Sequence, residues 1–246
     1  MPHSAPPSAR YPGSAPVLVR KTATSPAQHR KRMRRLQHKF AKTIKEQRRI
    51  AKIHGLYAVA LTLTYRPTQM PEGKDISSFL DKLRAKLKRG GKPLLYTWVL
   101  ECKHAYHYHL MVWLPRGMRL ERSLLERWWP HGYFEAEACR SPHRWGKYMA
   151  KSETKESLPA GRRLFGYGGL DQAGEDAVRR ACLPRWLQQI LPAFSRPRRC
   201  RGGGWVDVLT GEIFISPYVW TPRGIKLRAG PSVRMKLGCR ATGETH

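Results

Sequence analysis

The segment YHYHLMVWLP (106–115) constrains this chain more than any other stretch. Short, apolar and rich in aromatic and β-branched residues, it predicts a buried β-strand. Alternate strand residues share a face. Tyr108, Leu110, Val112 and Leu114 therefore fall on one side, and His107, His109, Met111 and Trp113 on the other. Two imidazoles then stand on one face, about 7 Å apart along the chain.

The neighbouring pattern gives that strand its partners. LYAVALTLTY (56–65) and PLLYTWVLEC (93–102) read as strands, with the helix DISSFLDKLRAKLKRGG (75–91) between them. Ile76, Phe79, Leu80, Leu83 and Leu87 form its apolar face, and Gly90-Gly91 end it. A short turn near 103–105 makes a hairpin with the histidine strand. Strand–helix–strand–strand order predicts an α+β fold with a central antiparallel sheet and flanking helices. Further on, 119–129 reads as a helix, GYFEAEA (132–138) as a strand and 141–155 as a helix opened by Ser141-Pro142. Residues 156–204 read as irregular with one helix around 173–190, and GGWVDVLTGEIFISP as two short strands joined near Thr210-Gly211.

The flanks are basic. Residues 1–24 are Pro-rich and read as a disordered tail. Ser25-Pro26 opens a helix that Gly55 stops, with Met33, Leu36, Phe40 and Ile44 as its apolar stripe and Lys and Arg over the rest. After Pro222 a basic tail reads as loose. Lys and Arg number 47 against 17 Asp and Glu, a formal net charge of +30. Such an imbalance favours a polyanionic partner, nucleic acid first and an anionic membrane surface second. No apolar run approaches the roughly 18 residues of a membrane span, and Met1–Pro16 lacks the apolar core of a signal peptide. Cys102, Cys139, Cys182, Cys200 and Cys239 are scattered without a C-x-x-C pair, against a zinc ribbon and in keeping with a reducing, cytoplasmic setting.

Histidines at i and i+2 of an apolar strand have two readings. They are hydrogen-bonded core residues, or they converge on a metal ion with a third ligand from the next strand. Glu101, closing the preceding strand, is the natural third ligand, and His104 in the turn competes with it. Such nitrogen and oxygen donors suit Mn²⁺, Mg²⁺ or Zn²⁺. In YMAK, Tyr148 and Lys151 lie at i and i+3 of a helix and share a face. A surface pair of this kind is commonplace. Beside a metal, however, a tyrosine whose pKa of about 10 is lowered by a nearby cation is a usable phosphate nucleophile. LTLTY (61–65) by itself is simply a good strand.

Taken in order, LTLTY, HYH and YMAK resemble the three motifs of HUH-type rolling-circle replication initiators. With VLECKHAYHYHLMVWLP, RWGKYMAKSETK and GRRLFGYGGL (161–170), the similarity is greatest to the replication proteins of filamentous bacteriophages and related plasmids. The resemblance implies an HUH endonuclease-like nicking domain over 56–170. Around it would stand the disordered tail 1–24, the basic helix 25–55, a helix-and-hairpin extension 171–222 and the basic tail 223–246. It implies that His107 and His109, with Glu101, bind Mg²⁺ or Mn²⁺. Tyr148 would attack a phosphodiester of single-stranded or extruded origin DNA, leaving a 5′-phosphotyrosyl link and a 3′-OH for a host polymerase. Lys151 would stabilise charge. A single-tyrosine transposase or mobilisation relaxase would use the same chemistry, whereas a non-catalytic nucleic-acid-binding protein would explain the charge alone. Many phage initiators carry a second tyrosine one turn after the first. Here Ser152 stands there, leaving a second subunit, Tyr133 or Tyr167 to complete a round. No G-x-x-x-x-G-K-[ST] occurs, so unwinding would need a host helicase. The N-terminal helix and SRPRRCRGGG (195–204) would hold DNA, and Trp128, Trp129 and Trp145 are candidates for stacking on bases.

Overall fold

The computed structural model describes residues 26–149, 163–200, 203–228 and 234–236, with 26–33 and 234–236 as backbone alone. In chain order the first elements are α1 (Pro26–His54), β1 (Leu56–Tyr65), α2 (Gly73–Arg89), β2 (Leu95–Cys102), β3 (Tyr106–Pro115), α3 (Arg122–Trp128), β4 (Gly132–Ala138), α4 (Pro142–Met149) and β5 (Phe165–Gly168). There follow α5 (Gln172–Ala181), α6 (Arg185–Ile190), β6 (Pro197–Arg199), β7 (Trp205–Asp207), β8 (Glu212–Phe214), β9 (Tyr218–Thr221), β10 (Gly224–Leu227) and β11 (Arg234–Lys236). The tail 1–24 and Ser25 lie outside the described residues, as does the Met33 side chain.

β3, the histidine strand, is the middle of a five-stranded antiparallel sheet in the order β4-β1-β3-β2-β5. The expected α+β class with flanking helices is what the chain forms. Helices cover both faces. Leu61, Leu63, Leu110, Val112 and Leu114 pack on Phe79, Leu83 and Leu87 of α2, with Leu125 of α3 beside them. On the opposite face Leu95, Val99, Met111 and Trp113 pack on Phe40 and Ile44 of α1 and Met149 of α4. Leu110 and Met111, consecutive in β3, are both wholly buried because each side of the sheet has its own core. Among the described residues, no helix is long and apolar enough to cross a membrane.

One buried amide ties α1 to the sheet. The Gln47 side-chain NH₂ donates to the carbonyls of Tyr96 (2.7 Å) and Gly168 (3.2 Å). Its oxygen accepts from Thr97 Oγ1 (2.9 Å) and Trp113 Nε1 (3.3 Å). A buried group with this many partners fixes helix register, since each bond lost leaves a desolvated orphan.

The 156–204 stretch holds more order than its sequence suggests. β5 pairs with β2, placing Gly166 and Gly168 opposite Trp98 and Tyr96. A β-carbon at Gly166 would sit 2.4 Å from the Trp98 ring, and one at Gly168 2.6 Å from the Tyr96 ring. The glycines of FGYG are thus the places where large rings of β2 lie over the edge strand. The single helix expected around 173–190 is two, α5 and α6, because Pro184 cannot continue the first. The Arg180 guanidinium reaches the carbonyls of Gln188, Leu191 and Pro192 and holds the two together. Arg49 of α1 bridges to Asp171 at the start of α5. Leu183, Leu187, Leu191 and Phe214 form a small separate core under the sheet β11-β8-β7-β6. The tail after Pro222, expected to be loose, supplies β10 and β11. A two-residue turn at Pro222-Arg223, closed by Thr221 Oγ1 donating to the Gly224 carbonyl (2.7 Å), returns the chain against β9.

Candidate active site

The β2–β3 hairpin turns through Lys103–Ala105, with Cys102 opposite Tyr106. That three-residue turn puts Glu101 directly opposite His107 and Val99 opposite His109. On the other flank Thr64 faces His107 and Thr62 faces His109. Beyond them on β4, Tyr133 faces Thr64 and Glu135 faces Thr62. Directly paired residues share a face. Two rows of polar groups therefore cross the sheet on the α1–α4 side, where the apolar cover ends.

Glu101, His107 and His109 come together as the sequence predicts. Their donor atoms all lie within 4.8 Å of one another, and a Glu101 carboxylate oxygen is 3.9 Å from Nε2 of each histidine. Those separations exceed a hydrogen bond. The two 3.9 Å separations do fit donors around one ion, since two bonds of about 2.1 Å span up to about 4 Å. The far sides of both rings support the same reading. His107 Nδ1 donates to the Ala105 carbonyl (3.0 Å), which fixes the proton there and turns Nε2 towards Glu101. His109 Nδ1 lies 3.2 Å from Thr62 Oγ1. Where Nε2 is a ligand, Nδ1 carries the proton and the hydroxyl accepts it, the usual outer support of a metal-binding imidazole. Glu101 and His109 are buried, so the site sits at the edge of the core and opens on the His107 side. His104, the competing ligand, is exposed in the turn and is not part of this group.

Helix α4 brings the tyrosine. The Tyr148 ring centroid lies 5.3 Å from that of His109, edge to face. Tyr148 also stacks on Trp145, whose ring lies 5.5 Å from His109 and whose Nε1 donates to the Leu110 carbonyl (3.2 Å). The helix sits this close because position 146 is glycine. A β-carbon there would fall 2.1 Å from Ile44 Cδ1 of α1. Tyr148 is 44% exposed, so its phenol is at once beside the histidines and open to solvent. Lys151 and Ser152 lie outside the described residues.

A cleft of about 220 Å³ runs between Tyr148, His109, Thr62 and Glu135. It shares Ala60, Glu137, Trp145 and Tyr148 with a larger one of about 580 Å³ that ends at Arg140 and Arg144. One groove therefore leads from His109 past the phenol to two guanidinium groups.

The remaining candidates separate. Tyr133 is 74% exposed and stands in the His107 row. Tyr167 donates to Glu175 (3.2 Å), and burial, followed by that carboxylate, pushes its phenol up to about 12. Tyr65, closing LTLTY, faces the other core, where burial first and the neighbouring Tyr108 and Asp75 hold it well above the tyrosine range. Its hydroxyl donates to buried Asp75 (2.8 Å). Of the tryptophans suggested for base stacking, Trp129 is a core residue bonded to the Thr64 carbonyl (3.2 Å), and Trp128 packs edge to face on Phe79. Only Trp145 lines the groove. Thr62, Glu135, Arg140 and Arg144 were not singled out from sequence. The alternation of GYFEAEA, with Tyr133, Glu135 and Glu137 of one parity, carried that signal for β4.

An α+β fold with a five-stranded antiparallel sheet, carrying His-x-His on its central strand and a carboxylate on the next, is consistent with the HUH endonuclease-like class. Residues 58–157 match the family model described as replication-associated protein ORF2/G2P. Over that stretch the chain is similar to that replication-associated family, and the match spans the segments HYH and YMAK. No curated protein and no solved structure matches the chain.

Proposed function

We propose that this protein starts rolling-circle replication by nicking and rejoining single-stranded origin DNA through Tyr148. The observation that carries the reading is the Tyr148 ring set edge-on to His109, within the group that includes Glu101 and His107. The phenol oxygen gives up its proton and attacks the phosphorus, forming a phosphotyrosyl ester as the P–O3′ bond breaks. The departing 3′-oxygen takes up a proton. A later 3′-OH reverses the exchange and frees Tyr148, and no ATP is consumed because one phosphodiester replaces another. Glu101, His107 and His109 would hold Mg²⁺ or Mn²⁺, whose chemistry when bound is to polarise a phosphoryl oxygen. Lys151 is assigned charge stabilisation at the same phosphate. Arg140 and Arg144 would fix the strand downstream along the groove, and the exposed cations of α1, among them Arg34, Arg35, Lys45 and Arg48, would hold the phosphates outside it. Of the two spare tyrosines, Tyr133 suits a second transfer, because it is exposed on the histidine face while Tyr167 is engaged by Glu175. Unwinding and extension would fall to a host helicase and polymerase.

The test is incubation with a labelled single-stranded origin oligonucleotide and Mn²⁺. A protein–DNA adduct that survives detergent and is absent in Tyr148→Phe supports the reading. An adduct retained in Tyr148→Phe moves the role to another tyrosine, and none in the wild type across candidate origins favours a non-catalytic DNA-binding protein. A single-tyrosine transposase would cut hairpin ends and leave a supercoiled origin plasmid intact.

A further inference from the structure

The β9–β10 ribbon belongs to neither core. It forms a two-stranded sheet of its own, with Tyr218 opposite Leu227 and Trp220 opposite Ile225. By register all four side chains lie on one face. All four are exposed, Trp220 by 77% and Ile225 and Leu227 by 72% each. Isolated hairpins are marginal in water, and contiguous exposed apolar faces mark interaction sites. The ribbon is nevertheless well closed. Arg228 N–H donates to the Pro217 carbonyl (2.7 Å) at its base, and the Thr221 hydroxyl closes the turn.

Its surroundings say what covers it. Arg223 stands at the tip, Lys226 on the opposite face and Arg228 at the base, all exposed. From Ile213 to Gly243 the sequence contains no Asp or Glu. An apolar, aromatic face with a cation at each end, in a stretch of sequence without carboxylates, fits a polyanion that also presents flat rings. Strands of four residues, about 13 Å long, give a face far smaller than the roughly 800 Å² per partner of a stable protein dimer. The face carries no Arg, Asn or Gln, the side chains that read base edges in a duplex groove. Unstacked bases remain, since they need only a ring to lie on.

We propose that the β9–β10 ribbon is a second DNA-binding surface, which takes unpaired bases on Trp220 and Tyr218 while Arg223 and Arg228 hold the adjoining phosphates. It stands independently of the nicking chemistry at Tyr148.

Fluorescence anisotropy of the full chain with labelled oligo(dT), over a series of salt concentrations, tests it. Tyr218→Ala/Trp220→Ala should weaken binding by about 10- to 100-fold while leaving the salt dependence unchanged, because stacking releases no counterions. Trp220→Phe should recover most of the loss, showing that the ring rather than the fold is at issue. Arg223→Ala/Arg228→Ala should instead reduce the log–log salt slope by about 1.4, at about 0.7 per phosphate on single strands. Wild-type affinity in the aromatic double variant overturns the proposal. So does an equal loss on duplex DNA, a wild-type dimer that the double variant abolishes without changing oligo(dT) affinity, or binding to anionic vesicles that depends on the same two rings while oligo(dT) binding does not.

Discussion

The two faces of the central sheet are built from the same strands and serve different ends. Towards α2 and α3, β3 presents Tyr108, Leu110, Val112 and Leu114 to a core that runs its full length. Towards α1 and α4 it presents Trp113 and Met111 to a core, then His109 to a groove, with half-buried His107 next on the same face. Apolar cover stops halfway along the second face, and the candidate site begins there. The periodicity of a strand lets neighbouring residues answer to separate demands, one set to stability and the other to the site.

The comparison can be broken by substitution. The largest effect belongs to Tyr148→Phe, which removes one hydroxyl from the groove. Covalent adduct should fall by roughly 10³-fold or more, while calorimetric Mn²⁺ binding stays at the wild-type level. Next is a pair of variants one residue apart. Leu110→Ala should cost about 2–5 kcal/mol in urea unfolding yet leave Mn²⁺ affinity within about a factor of two. His109→Ala should abolish Mn²⁺ binding at modest cost in stability. If His109→Ala unfolds as readily as Leu110→Ala, the division between the faces is wrong. Thr62→Val, which removes the acceptor behind His109, should weaken Mn²⁺ binding by about 10- to 100-fold, with loss of nicking in proportion. The smallest effect concerns Tyr167. Its pKa rises from about 10 in the unfolded chain to about 12 in the fold. Its contribution is therefore complete below pH 10 and disappears as pH climbs to about 12, worth about 1 kcal/mol once solvent screening is allowed for. Tyr167→Phe should remove that part of the alkaline decline in unfolding stability.

Much of this was legible beforehand, for identifiable reasons. β1 and β4 begin and end where the apolar run 56–65 and the alternating run 132–138 do. The parity of β3 was readable because period two leaves only two choices. Glu101 could be named, but its place opposite His107 depended on a turn of three residues, a property of backbone geometry that residue types do not specify. Thr62 carried no mark of its own. Its importance arises from β1 lying beside β3, a pairing between residues far apart in sequence. The break between α5 and α6 falls at Pro184, a signal that the reading of one helix around 173–190 passes over. The short β5 was missed because its alternate glycines make sense only once the rings of Trp98 and Tyr96 lie across them.

The position of β5 bears on when the protein can act. The helix bearing Tyr148 leaves one margin of the sheet at β4, and the chain re-enters at the opposite margin through β5, whose last carbonyl, that of Gly168, is held by Gln47. During synthesis Glu101, His107, His109 and Tyr148 all emerge before that final strand. The clasp that seats the first helix stays incomplete until Gly168 arrives, so a partly made chain holds every residue of the candidate site without the assembled frame around them.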